Sequence, residues 1–138
     1  MKKILVFIVL LIVSVISVKA QVVVIVNKSV PVSSITAAKL LDIYSMSTKD
    51  WGNGTKIVVI DKKSDDDAKS KFYGYMGKPV AEMKKIWMRV QLSGEGKAPE
   101  ALGSDEDIVK KVASTPGAIG YVHADKATGD VKVIATIK

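Results

Sequence analysis

Lys56-Ile-Val-Val-Ile60 followed by Asp61-Lys62-Lys63-Ser64-Asp65-Asp66-Asp67 is the stretch on which the fold turns. Lys56–Ile60 carries a short apolar run of β-branched residues, Ile57 to Ile60, the pattern of a strand buried on both faces. The charged loop after it leads into a helix expected from Asp65 to Met76, closed by Gly77. A buried strand feeding a helix through a short polar loop is the repeating step of an α/β protein.

Working outward, Gln21–Asn27 (QVVVIVN) reads as another fully buried strand, ended before Pro31. A helix should begin near Thr36. Thr36 stands at the N-cap, and Ile35 and Leu40 occupy the two positions of a hydrophobic staple. Trp51-Gly-Asn-Gly54 marks a turn. After Gly77, Pro79 opens a third helix with Val80, Met83, Trp87 and Val90 on one stripe. A loop holding Pro99 and Gly103 should follow, and then a fourth helix from Ser104. Ala118–Val122 and Val131–Ile137 read as the last two strands, around a turn at Thr128–Asp130. The expected order is β-α-β-α-α-α-β-β, an α/β lobe with a mixed, mostly parallel sheet flanked by helices.

The start of the chain has a separate character. Met1-Lys2-Lys3 precedes an apolar run from Ile4 to Val13 and a softer stretch ending at Lys19-Ala20. This is the layout of a secretory signal, with cleavage expected after Ala20. Ile4–Val18 is shorter than the ~20 residues that span a bilayer. The expected mature protein, residues 21–138, is one domain located in the periplasm or secreted. Three lysines lie in the leader, so the formal charge of +7 falls to about +4 without it. The basic residues are dispersed and Arg89 is the sole arginine, which argues against nucleic acid as a partner.

Six motifs in this order resemble those of the phosphate ABC-transporter substrate-binding protein family. They are VNKSVPVSSIT (26–36), LLDIY (40–44), the Trp51–Gly54 turn, KFYGYM (71–76), IWMRVQLSGEGKAPE (86–100) and STPGAIGYV (114–122). The resemblance implies the type II periplasmic-binding-protein fold, a small oxyanion such as phosphate as ligand, and a link to ABC-type transport. It also implies departures. Family members close two lobes over the ion, whereas this chain has the length of one. A membrane transporter, a second lobe or a second copy of the chain are the partners to expect. Lys62 falls where the family has an arginine, and Asp66-Asp67-Ala68 falls where it has Ser-Gly-Thr.

The residues expected to touch an anion are Ser33, Ser34 and Thr36 at the start of the first helix, with Lys62, Ser64 and Lys69 around the charged loop. Hydroxyls, ammonium groups and free N–H groups at a helix N-terminus suit an oxyanion. The alternative for Ser33, Ser34 and Thr36 is helix capping, and for Asp65–Asp67 it is capping rather than a modified ligand loop. The D-D-D run lacks the alternating oxygens and glycine of a calcium loop. There is no Cys and His123 is the sole histidine, so a zinc site of the usual type is not expected. His123 reads as a loop or surface residue. No nucleophile motif or acid–base pair suggests an enzyme, and no cofactor is implied. The rival to oxyanion binding is an envelope interaction module that has lost its ligand.

Overall fold

The computed structural model describes residues 21–138; the expected signal peptide, residues 1–20, lies outside the described residues. A five-stranded sheet is built from β1 (Val22–Val26), β2 (Val58–Lys62), β3 (Glu100–Leu102), β4 (Ala118–His123) and β5 (Lys132–Ile137). Its order is β3-β2-β4-β1-β5. β2 runs parallel to both β3 and β4, while β1 is antiparallel to β4 and β5. Four strands therefore share one direction and β1 opposes them, which makes the sheet mixed and mostly parallel.

The helices are α1 (Ala37–Tyr44), α2 (Asp67–Met76), α3 (Val80–Leu92) and α4 (Asp105–Ser114), with a 3-10 turn at Ala124–Lys126. Val22, Val24 and Val26 of β1 join Leu40, Ile43, Phe72, Met83 and Trp87 from α1, α2 and α3 in one core. Val23 and Ile25 join Ile108, Val109 and Val112 from α4 in a second core. Alternate side chains of a strand point to opposite faces, so a strand covered on both needs an unbroken apolar run. The fold has three layers.

Local chemistry ends the helices where the residue types indicate. Thr36 Oγ1 accepts from Lys39 N at 3.2 Å, and Ser104 Oγ accepts from Asp107 N at 3.1 Å. Gly77 closes α2 in the left-handed conformation with φ 80°. Trp87 donates its indole N–H to Tyr44 O at 2.6 Å and so pins α3 to the end of α1.

Three details differ from the sequence expectation. Glu100–Leu102 was expected in a loop but pairs with β2 as a short edge strand. It has three residues and no β-branched one, so it carries no periodic signal. β2 runs on to Lys62, two residues beyond the apolar run, because Asp61 and Lys62 are buried among charged partners. α2 begins at Asp67 because Asp66 is its N-cap, accepting from Lys69 N at 2.9 Å.

Candidate functional site

The three strands β2, β3 and β4 end on the same side of the sheet. The loops after β2 and β3 lead directly into the N-termini of α2 and α4. Ligands of open α/β sheets collect at this carboxyl end. Here it gathers Asp61 and Lys62 from β2, Asp66 and Asp67 from the start of α2, Asp105 from the start of α4, and His123 from the end of β4.

Lys62 lies at the centre and is 2% exposed. Its Nζ is 2.8 Å from Asp66 Oδ2 and 2.5 Å from Asp105 Oδ1. Burial pulls its pKa down, but the hydrogen bonds and charges of Asp105 and Asp66 outweigh this and hold it above the ordinary lysine value. Asp105 Oδ2 accepts from the His123 backbone N–H at 2.9 Å and lies 2.8 Å from His123 Nδ1. Burial pushes the Asp105 carboxyl up, yet hydrogen bonds from Lys62 and His123 leave it below the usual carboxylate range. The other imidazole nitrogen, Nε2, is 3.0 Å from Asp67 Oδ1.

A second buried group lies behind this one. Lys69 is also buried, and its Nζ donates to Lys62 O at 2.7 Å. It stands 3.8 Å from Asp61 Oδ2 and 3.6 Å from Asp65 Oδ1. Asp61 Oδ1 accepts from Lys62 N at 2.8 Å and from the Tyr121 hydroxyl at 2.5 Å. Tyr44, Phe72, Tyr73 and Tyr121 pack against one another beneath, with Phe72 and Tyr121 stacked at 3.9 Å between ring centroids. Burial, and then the Asp61 charge, push the hydroxyl pKa values of Tyr44, Tyr73 and Tyr121 well above the ordinary tyrosine value.

The residues named from sequence divide between the two ends of the sheet. Lys62 and Lys69 belong to the buried cluster, and Ser64 is exposed on the loop beside it. Ser34 and Thr36 instead line a pocket of about 250 Å³ with Ile35, Lys39 and Trp51. Trp51 donates its indole N–H to Gly117 O, just before β4 begins, whereas His123 ends that strand. Ser33 is exposed next to this pocket. A larger open groove of about 830 Å³ lies beside Lys56–Val59, where β2 starts, again away from Lys62. The anionic and cationic groups converge at the carboxyl end, so we place the candidate site there.

His123, expected as a loop or surface residue, ends a strand and bridges two carboxylates. Asp105, read as part of a capping sequence, faces Lys62. No spacing rule links residues 62, 105 and 123; only the strand order brings them together.

The positive groups at this point are already answered within the chain. An N-terminal helix end with a nearby ammonium is an anion site, and Asp66 supplies the anion to both.

No protein-family model and no curated protein matches the chain. Solved structures do. An ABC-type phosphate transport receptor from Vibrio cholerae superposes with a TM-score of 0.64 at 19% identity, over 83% of this chain and 45% of that one. A protein assigned as a phosphate ABC transporter substrate-binding protein from Clostridium perfringens, with bound phosphate, gives 0.69 at 19%, over 83% and 44%. PstS from Borrelia burgdorferi gives 0.61 at 17%, over 83% and 46%. The chain spans less than half the length of each of these proteins. Identity this low speaks for the fold alone, and that fold is the one the motifs imply: the chain has the architecture of a lobe of the phosphate-transport receptors.

Proposed function

We propose that this chain is a non-enzymatic, phosphate-binding-protein-like domain that acts outside the cytoplasm as a recognition module, with its anion position filled by its own Asp66. One observation supports the reading most: Lys62, where the family carries an arginine, is buried and paired with Asp66 and Asp105. An incoming phosphate would have to displace a carboxylate that also caps α2, and would meet Asp67 and Asp105 close by. Like charges a few ångströms apart cost roughly 1–4 kcal/mol depending on solvent exposure. Among the described residues no helix is long and apolar enough to cross a membrane.

A second reading keeps oxyanion binding linked to ABC-type transport, with Lys62, Ser64 and Lys69 as contacts and a transporter, a second lobe or a second copy as partner. It is favoured by the retained fold and by the position of Lys62 beside the N-terminus of α2. One titration separates the two. Residues 21–138 at low salt are titrated with phosphate and sulfate and followed by amide NMR. The self-occupied reading expects no saturable shifts at residues 62–69 at millimolar anion, and expects them to emerge in Asp66→Ser. Saturable shifts in the parent protein establish the second reading instead.

A further inference from the structure

We infer that Asp66, Asp67 and His123 form a binding site for a first-row divalent cation such as Zn²⁺, with Asp105 orienting the imidazole for it. The inference is tested separately from the self-occupied anion position, although both use Asp66, whose oxygens also accept from Lys62 Nζ and Lys69 N. Each of the three residues offers a ligand atom, and these atoms lie within 4.8 Å of one another. An ion bound there would stand about 2.0–2.2 Å from each donor.

The imidazole is set up from behind. Asp105 is buried, and its Oδ1 is taken by Lys62. Its Oδ2 accepts from the His123 backbone and lies 2.8 Å from Nδ1. An ionised carboxylate only accepts hydrogen bonds, so Nδ1 carries the hydrogen. In neutral imidazole, Nε2 then presents a lone pair to Asp67 Oδ1 at 3.0 Å. Two lone pairs facing each other at that distance call for a cation, either a proton on Nε2 or a metal ion. A carboxylate holding the far side of a ligating histidine is the usual support of a metal site.

The surrounding charges leave room for a cation at Nε2. Lys69 answers Asp61, Lys62 answers Asp66 and Asp105, and Asp67 faces His123 with the charge of Lys71 nearby. With neutral His123, the carboxylates of Asp66, Asp67 and Asp105 exceed the ammonium groups of Lys62 and Lys71 by one negative charge. Two carboxylate oxygens and one imidazole nitrogen suit a borderline ion better than Mg²⁺ or Ca²⁺, which take oxygen ligands. Asp67 is exposed and the His123 side chain is 23% exposed, so an ion can enter and keep open positions for water. A one-histidine site is silent in the sequence because its ligands come from two distant elements.

The test uses residues 21–138, stripped of metal, titrated with ZnCl₂ in a non-chelating buffer near neutral pH. Binding is read by calorimetry and by long-range ¹H–¹⁵N spectra of the imidazole. One equivalent should saturate, with a large shift at His123 Nε2 while Nδ1 keeps its hydrogen. Asp67→Asn should weaken binding at least tenfold, and His123→Gln should abolish it, with millimolar Mg²⁺ failing to compete. Asp67 is exposed, so its variant keeps the test open if His123→Gln misfolds. No change at His123 up to millimolar Zn²⁺, or equal affinity in Asp67→Asn, overturns the site. The phosphate titration is run without metal, so either idea can fail alone.

Discussion

Lys62 on β2 and Asp105 on α4 meet with Nζ and Oδ1 2.5 Å apart, while the same ammonium reaches Asp66 at the start of α2. α2 and α4 cover opposite faces of the sheet, so one buried charge ties all three layers at the strand ends. Removing one partner of a buried ion pair leaves the others uncompensated and costs about 3–5 kcal/mol. Lys62→Met should therefore lower the urea midpoint strongly, and adding Asp105→Asn should recover part of the loss. A Lys62→Met protein as stable as the parent would refute this.

Stability in a chelating buffer should peak between about pH 4 and 6.5. Burial lowers the His123 pKa, but Asp67 and Asp105 raise it above the ordinary imidazole value. A raised folded pKa gives stability that is full below the unfolded value and lost as pH rises through the folded one. Asp105 is depressed, so its contribution is present above the unfolded carboxylate value and lost as pH falls through the folded one. Urea midpoints across pH should show both limbs. His123→Gln should flatten the alkaline limb and keep the acid one.

Two buried tyrosines beside Asp61 should respond oppositely to loss of their hydroxyls. Tyr121 donates to Asp61 at 2.5 Å. The Tyr73 hydroxyl is buried near Asp61 but, unlike that of Tyr121, makes no hydrogen bond of good geometry to a described residue. Tyr121→Phe should cost about 1.5–3 kcal/mol, the range for a hydrogen bond to a charged group. Tyr73→Phe should be neutral or stabilising, since an unsatisfied buried hydroxyl is removed. Thermal melts of the two variants decide it, and equal losses would contradict the pairing.

Gly117 should tolerate no side chain. Its φ is +78°, and a Cβ there would stand 2.1 Å from Lys56 O. Gly117→Ala should cost more than about 2 kcal/mol, from backbone strain and the clash together. It should also disturb the Trp51 indole bonded to Gly117 O, visible as a shift in tryptophan emission.

The parts of the fold legible in the sequence are those that bury apolar side chains periodically. VVVIV, the α3 stripe of Met83, Trp87 and Val90, and the Ser104 cap all appear where their residue types place them. The site was less legible for a physical reason. Asp61 and Lys62 look like loop residues because charge normally marks solvent, yet each is buried by partners on other elements. Lys62 and Lys69 could be named from the loop, whereas Asp105 and His123 matter only through the β2–β4 pairing. Ser33, Ser34 and Thr36 were grouped with them by chemistry, but the direction of β1 carries its following loop away from the carboxyl ends of β2 and β4.

That direction has a further consequence. β1 is an inner strand whose two neighbours, β4 and β5, come from residues 118–137. Its five β-branched residues are made well before either partner strand and have no ladder to join until both β4 and β5 exist. Until then VVVIV is a bare, sticky strand of the kind that pairs with other chains. Such long-range pairing is slow to form. The unfinished chain therefore carries an unpaired apolar strand, and its yield should respond to holding chaperones more than to the stability of the finished fold.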